Sequence, residues 1–328
     1  MGVAEFVLGL CFEEMTMEKV LILGSGGQIG TELTHALRTH YGTSQVIASD
    51  IREPEKSEGP FVLLNVMDGQ AVAEVIKKEK VTQVYLLAAM LSATAEKHPQ
   101  KGWALNMEPL LHLLEMGKEG MYKQMYWPSS IAAFGPTTPK QNTPQHTITE
   151  PTTVYGLSKL AGERWCEWYF LKYGVDVRGL RYPGLISYTT PPGGGTTDYA
   201  VDIFHHALSS GTYTSFLGPE SRLPMMYMPD AIRATLDIMH APADQIKIRG
   251  SYNVGAFSFT PAELASAIQQ YIPDFTISYA PDFRQAIADS WPQSIDDAAA
   301  RADWGWKPQY GLSDMVEAML AGVKSLSK

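Results

Sequence analysis

The sequence predicts an α/β protein whose main body is a doubly wound parallel sheet and whose C-terminal part forms a smaller lobe. Apolar runs of strand length alternate with segments of helical period over roughly the first 180 residues. The first run, Val20–Leu23, is followed at once by a glycine-rich turn and then by a helix-like segment. This order is typical of a Rossmann-type sheet.

Each predicted strand is a short apolar run bounded by polar or turn residues. The helices between them carry apolar residues three and four positions apart, as Ile29, Leu33 and Leu37 do in the first one. The strands are expected at 19–24, 45–50, 61–66, 83–89, 124–129, 176–181 and 251–255. The helices are expected at 28–39, 71–79, 103–116, 155–173, 230–240, 261–271 and 312–326.

Composition excludes several classes of protein. The 328 residues carry a formal net charge of −9, which argues against a nucleic-acid-binding protein. No apolar run approaches the roughly 20 residues of a membrane helix. Cys11 and Cys166 offer neither a disulfide framework nor zinc-ligand spacing, so we expect a reducing compartment and no metal.

The glycine-rich turn is the strongest motif. Gly24, Gly27 and Gly30 give G-x-x-G-x-x-G between the first strand and the first helix. Such a turn lets backbone N–H groups approach a pyrophosphate at a helix N-terminus, where the helix dipole favours negative charge. Asp50 ends the second strand, where a carboxylate can accept hydrogen bonds from the adenosine ribose and repel a 2′-phosphate. The turn and Asp50 predict NAD rather than NADP, although Arg52 could weaken that preference.

Further motifs follow the turn in a fixed order, and together they resemble those of the extended short-chain dehydrogenases/reductases over about residues 19–190. The resemblance implies that Ser130, Tyr155 and Lys159 are catalytic. Asn106 is a candidate fourth member, with a helix-interior hydrogen bond as the alternative. The motifs are Gly24–Gly30, Leu86-Leu87-Ala88-Ala89, Asn106, Ser129-Ser130, Tyr155-Gly-Leu-Ser-Lys159 and Arg181-Tyr182-Pro183-Gly184.

The physical chemistry of these side chains fits the implied roles. A tyrosine with a pKa of about 10 is a poor base near neutrality, and a nearby ammonium lowers that pKa by stabilising the phenolate. Tyr155 would then take a hydroxyl proton, Ser130 would hold the substrate oxygen, and Lys159 would also hold ribose hydroxyls. The residues expected to bind NAD are Gly24, Gly27, Gln28, Ile29, Gly30, Asp50, Ile51, Arg52, Asn65, Val66, Leu87, Ala88, Ala89, Asn106, Tyr155, Lys159, Tyr182 and Leu185.

A narrower resemblance concerns the C-terminal part. The segments 180–187, 191–200, 289–292 and 303–306 resemble those of the L-threonine 3-dehydrogenases within this superfamily. It implies NAD-dependent oxidation of the 3-hydroxyl of L-threonine to L-2-amino-3-oxobutanoate. The residues expected to bind the substrate are Ser92, Ser129, Ser130, Tyr155, Gly195, Thr196, Thr197 and Trp291.

Alternatives stay open for several of these residues. The glycine turn at 193–195 is either a donor site for the substrate carboxylate or a lid without ligand contacts. Ser92 could cap a loop, and Trp291 could belong to the core. Asp198 is a conceivable partner for the substrate ammonium, although a solvated loop carboxylate is the simpler interpretation.

We divide the chain into an N-terminal extension at 1–18, an NAD-binding domain at 19–186 and a mainly substrate-binding lobe at 187–328. About 231–255 should return to the main sheet. The 103–116 and 155–173 helices carry more than one apolar stripe, which predicts a homodimer through them, as the resemblance implies, or burial under the C-terminal lobe.

Two other functions remain possible. A nucleotide-sugar epimerase or dehydratase shares the fold, the cofactor and the Ser/Tyr/Lys set, and Arg222 and Arg233 could serve its diphosphate. An NAD-sensing regulator without turnover is the second, although an intact catalytic set argues against it. An intracellular location is expected, which the resemblance makes mitochondrial for a eukaryotic source and cytoplasmic for a bacterial one.

Overall fold

The structure is a computed structural model that describes residues 18–56, 58–191 and 193–326. The predicted N-terminal extension lies outside the described residues except for Glu18, and Cys11 lies outside them as well. Within the described part of the chain, no helix is both long enough and apolar enough to cross a membrane.

Strands and helices alternate through the first half of the chain, and their bounds follow the sequence prediction closely. In chain order the strands are β1 (Val20–Leu23), β2 (Val46–Asp50), β3 (Phe61–Leu63), β4 (Gln83–Leu86), β5 (Gln124–Tyr126), β6 (Ser129–Ser130), β7 (Asp176–Arg178), β8 (Leu180–Tyr182), β9 (Gly184–Ile186), β10 (Thr212–Ser215), β11 (Leu223–Tyr227), β12 (Tyr252–Asn253), β13 (Phe257–Phe259) and β14 (Thr276–Tyr279). The helices are α1 (Gln28–Tyr41), α2 (Gly69–Glu79), α3 (Ser92–Lys97), α4 (Pro99–Lys118), α5 (Val154–Tyr173), α6 (Tyr199–Ser209), α7 (Met228–His240), α8 (Pro261–Gln269), α9 (Arg284–Ser290), α10 (Ala298–Trp304) and α11 (Leu312–Leu326).

The main sheet has six parallel strands in the order β3-β2-β1-β4-β5-β7. Helices α1 and α7 cover one face, and α2, α4 and α5 cover the other. Because both faces are covered, the strands are nearly continuous apolar runs, and Val20–Leu23 is buried throughout. The doubly wound α/β fold predicted from the sequence is therefore confirmed.

Two strands of this sheet break near their carboxyl ends and continue as short strands. After β5 the chain continues as β6, and after β7 it continues as β8, which pairs with both β6 and β12. Trp127 and Pro128 occupy the first break and Gly179 the second. The sequence predicted unbroken strands at 124–129 and 176–181. The break matters because it brings Ser129 and Ser130 to the carboxyl edge of the sheet.

The C-terminal part builds a second core of its own. Strands β9, β11 and β13 form one small sheet, β10 and β14 another, and α6, α8 and α11 pack against them. The division into two domains stays a prediction. Residues of the C-terminal part also belong to the core of the main sheet, namely those of α7 and β12 together with Ala300 and Trp306.

Candidate active site

A cleft of about 1940 Å³ lies between the carboxyl ends of the parallel strands and the C-terminal part of the chain. The glycine turn lies in it together with Ser130, Tyr155 and Lys159. Each residue predicted to bind NAD lines this cleft except Asn106, and each residue predicted to bind the substrate lines it as well. The fold thus brings together motifs that are up to 267 residues apart, counting from Gly24 to Trp291 (291 − 24).

Glycine occupies the three motif positions of the turn for different physical reasons. Gly24 has φ +96°, and a Cβ there would lie 2.6 Å from the backbone nitrogen of Ala88. A Cβ on Gly30 would lie 2.3 Å from the Gly24 carbonyl oxygen. A Cβ on Gly27 would meet no described atom closer than that oxygen, at 3.8 Å. The fold requires glycine at 24 and 30, whereas position 27 keeps the cleft open.

The start of α1 is suited to an anion. Gly27 is its N-cap residue, and no side chain caps the first turn. The first N–H groups of a helix lack partners within the helix, and the dipole there attracts negative charge. Asp50 lies beside the turn, where its Oδ2 accepts a hydrogen bond from the Gly26 N–H at 3.0 Å. These features fit a dinucleotide pyrophosphate with its ribose near Asp50.

Lys159 and Tyr155 lie one helical turn apart on α5. The Lys159 ammonium donates to the Pro128 carbonyl oxygen at 2.6 Å and lies 5.4 Å from the centre of the Tyr155 ring. Burial lowers the pKa of Lys159 to about 7. Burial raises the pKa of the Tyr155 phenol to about 12, and a hydrogen bond with Ser130 opposes that rise. Above about pH 7 both groups therefore favour their neutral forms.

Two predicted site residues form hydrogen bonds with other residues of the chain. The Asn106 amide accepts from the Met90 N–H at 2.8 Å and donates to the Met90 carbonyl and to the Ser158 hydroxyl. These bonds join α4 to the loop after β4 and to α5, and Asn106 does not line the cleft, so its role toward the cofactor stays a prediction. The Ser129 hydroxyl donates to Glu163 Oε1 at 2.6 Å.

The predicted substrate loop is held by internal hydrogen bonds. The Asp198 carboxylate accepts from the N–H groups of Gly194 at 2.8 Å and Gly195 at 2.7 Å. Asp198 is thus a loop anchor rather than a solvated residue, and burial raises the pKa of its carboxyl to about 6. The Thr196 and Ser92 hydroxyls lie 3.0 Å apart.

Sequence reasoning did not single out Glu163 or its partner Arg181 as a pair, and it did not assign the anchoring role of Asp198. Each is defined by a hydrogen bond to a residue that a single sequence cannot place. Among the described residues, no cluster of three or more His, Cys, Asp or Glu side chains could hold a metal ion.

Comparison with known proteins identifies the family. The model of the NAD dependent epimerase/dehydratase family matches residues 20–255, the greater part of the chain. The chain belongs to this family. An uncharacterized epimerase/dehydratase of Staphylococcus saprophyticus is 49% identical over 95% of this chain and 99% of its own length.

Two solved structures are similar over nearly the whole chain. A GalE-like L-threonine dehydrogenase from Cupriavidus necator, in its holo form, is 58% identical with a TM-score of 0.91, covering 93% of this chain and 99% of that one. A metagenomic L-threonine 3-dehydrogenase, described as monomeric and in its apo form, is 45% identical with a TM-score of 0.92, covering 94% and 100%. Membership of the NAD-dependent family confirms the predicted cofactor.

The open position at Gly27 generates a prediction. In Gly27→Ala the added methyl group has room within the protein but occupies the space in front of α1. We expect the NAD dissociation constant to rise about tenfold or more, a loss of roughly 1.4 kcal/mol, while the melting temperature stays that of the parent chain. Calorimetric titration and thermal unfolding measure the two quantities.

Gly218→Ala is the matched control, because a Cβ there also meets nothing closer than 3.6 Å and Gly218 lies outside the cleft. It should change neither quantity. NAD binding by Gly27→Ala as tight as in the parent chain would contradict the placement of the pyrophosphate.

Proposed function

We propose that the chain oxidises the 3-hydroxyl of L-threonine to L-2-amino-3-oxobutanoate with NAD. The observation that carries the proposal is that Ser130, Tyr155 and Lys159 line one cleft, with Lys159 one helical turn from Tyr155, beside the threonine-rich loop after Gly195. The similarity to two L-threonine dehydrogenase structures supports the choice of substrate.

The proposed chemistry depends on one proton. Bound NAD supplies the acceptor for the hydride that leaves C3 of the substrate. The Tyr155 oxygen takes the proton of the 3-hydroxyl, and Ser130 holds that hydroxyl oxygen in place. The Lys159 ammonium, when charged, favours the phenolate over the phenol and so makes Tyr155 a better base.

The lining of the cleft suits a small polar substrate. The hydroxyl-bearing residues Ser92, Thr196 and Thr197 line it together with Tyr155 and Trp291. The Gly194 and Gly195 N–H groups already donate to Asp198, so we assign recognition of the substrate carboxylate to hydroxyls rather than to those two groups.

The nucleotide-sugar alternative receives no support from the two arginines that suggested it. Arg222 pairs with Glu263 and donates to the Ser258 carbonyl. Arg233 pairs with Asp230 and lies 3.3 Å from Asp237. Arg222 lies outside the cleft, and Arg233, which lines it, is paired with two carboxylates, so L-threonine stays the favoured substrate.

Replacement of the proposed base tests the reaction. In Tyr155→Phe we expect turnover of L-threonine to fall by about a thousandfold, since a positioned acid or base contributes roughly 10²–10⁴ in rate. NAD affinity should stay within about threefold. NADH absorbance measures turnover, and titration measures affinity.

Tyr122→Phe is the control, because that buried phenol donates to the Leu113 carbonyl outside the cleft. It should retain turnover. An active Tyr155→Phe variant would refute the mechanism, and a parent chain that turns over a UDP-sugar instead of L-threonine would refute the substrate.

The pKa of Tyr155 predicts the pH dependence. Burial places that pKa near 12, above the ordinary value of 10, so the reactive phenolate is the minor form at neutral pH. Below the pKa its fraction grows with pH, while Lys159 loses its charge above about pH 7 and partly offsets that gain. We therefore expect kcat/KM for L-threonine to rise between about pH 7 and pH 9 by less than about tenfold per unit. A flat profile, with NAD saturating throughout, would contradict proton removal by Tyr155 as the limiting step.

We infer a homodimer through α4 and α5. Large apolar side chains of α5 are exposed rather than covered by the C-terminal lobe, with Trp168 45% and Leu171 75% accessible. Trp165, Tyr169 and Tyr173 join Trp168 in an aromatic cluster on the same helix. An exposed apolar patch of this kind marks an interaction surface. The exposure also argues against the alternative that the lobe buries this face.

Sedimentation equilibrium at micromolar concentration tests the dimer. We expect the mass of two chains for the parent protein and of one chain for the double variant Trp168→Glu/Leu171→Glu. Tyr271→Glu serves as control, since Tyr271 is equally exposed but lies on the C-terminal lobe. A parent protein that sediments as one chain, as the monomeric relative would, refutes the inference.

A further inference from the structure

A charged pair is buried behind the strand that carries Ser130. Glu163 of α5 is fully buried, and Arg181 of β8 donates to it twice, from Nε to Oε1 at 2.8 Å and from Nη2 to Oε2 at 2.7 Å. Oε1 also accepts from the Ser129 hydroxyl at 2.6 Å. Desolvation offsets most of the attraction in such a buried pair. Stability alone therefore does not account for it.

The rest of the Arg181 guanidinium is fixed as well. Its Nη1 donates to the Gln145 carbonyl at 3.0 Å and to the Asn253 amide oxygen at 3.1 Å. The guanidinium carbon lies 5.0 Å from the centre of the Phe134 ring. Because Arg181 is held on several sides, the Glu163 carboxylate it binds has a defined position.

Helix α5 is thus hydrogen-bonded at two points to consecutive residues, Pro128 in the break of the sheet and Ser129 at the start of β6. Lys159 and Glu163 are four residues apart and share a face of the helix. Lys159 donates to the Pro128 carbonyl, and Glu163 accepts from the Ser129 hydroxyl. Ser130 comes next in the chain. Tyr155 lies on α5 together with Lys159 and Glu163. The two hydrogen bonds therefore fix the position of Ser130 relative to Tyr155.

We propose that Glu163 and Ser129 are positioning residues that hold the Ser130 hydroxyl against Tyr155. Ser129 acts through its buried bond to Glu163 and makes no bond to substrate, which revises its predicted role. This inference rests on the proposed function. Its consequence is a specific one: loss of that bond slows the chemical step and leaves cofactor binding intact, since none of these bonds involves the glycine turn.

Ser129→Ala removes the bond to Glu163 with the smallest change. We expect kcat for L-threonine to fall about 10- to 100-fold, the scale of a misplacement near 1 Å. The NAD dissociation constant and the KM for L-threonine should stay within about threefold. Ser215→Ala is the matched control, because that hydroxyl is also buried, donates to the Leu217 carbonyl, and lies outside the cleft. It should retain kcat whatever its melting temperature.

A second readout needs no substrate. Hydrogen exchange of peptides covering 128–134 should be faster in Ser129→Ala than in the parent chain and unchanged in Ser215→Ala. Glu163→Gln, if folded, should act in the same direction. Unchanged kcat and unchanged exchange in Ser129→Ala overturn the proposal, and so does a rise in KM alone, which would return Ser129 to substrate contact. A parent chain inactive on L-threonine refutes the proposed function instead. The hydrogen-exchange rates then test by themselves whether the bond between Ser129 and Glu163 holds this segment in place.

Discussion

Helix α5 packs along the strand ends at Pro128–Ser130, and the chemistry of the cleft depends on this contact. The helix carries Tyr155 and Lys159, and Pro128 supplies the carbonyl that holds the lysine. The break in the sheet at Trp127 and Pro128 frees that carbonyl for a side chain. An unbroken strand would give it to a ladder hydrogen bond. A local defect of the sheet therefore creates the site.

The sheet determines where this contact can occur. Its strand order reverses between β1 and β4, so the connections leave on opposite faces and open a crevice at the carboxyl ends. The Gly24 backbone approaches Ala88 at the end of β4 so closely that no side chain fits between them. This close contact forms the floor of the crevice. The glycine turn and α5 reach the crevice from opposite sides of the point where the strand order reverses.

Much of the fold follows from local pattern. Apolar runs predicted β1, β2, β4 and β5 to within a few residues, because strands buried on both faces leave a signal in any sequence. The short elements α3, α6 and β9 were not predicted. Strand β9 and α6 flank a segment rich in Pro, Gly and Thr, and α3 is only six residues long. The conformation of the segment before α6 depends on contacts such as those of Asp198 with Gly194 and Gly195.

The residues of the site, like the elements of the fold, could be predicted from the sequence only in part. Motif order alone indicated Ser130, Tyr155 and Lys159, and the fold places them in one cleft. Which hydroxyls remain free for a ligand could not be predicted. Ser129 and Ser130 are adjacent and chemically identical, yet one donates inward to Glu163 and the other meets Tyr155. Strand alternation sends them to opposite faces, and only the partner on each face decides the role.

The electrostatics of the cleft couple Lys159 to Tyr155. Burial opposes charge on both groups, lowering the pKa of Lys159 to about 7 and raising that of Tyr155 to about 12. A proton moved from Tyr155 to Lys159 would create two charges at once in a medium that solvates neither well. The resting site therefore holds its proton on the phenol. A cation bound beside Tyr155 would favour the phenolate, so binding of the cofactor would strengthen the base. Because burial disfavours the charged form of Lys159, proton removal would depend strongly on that bound cation.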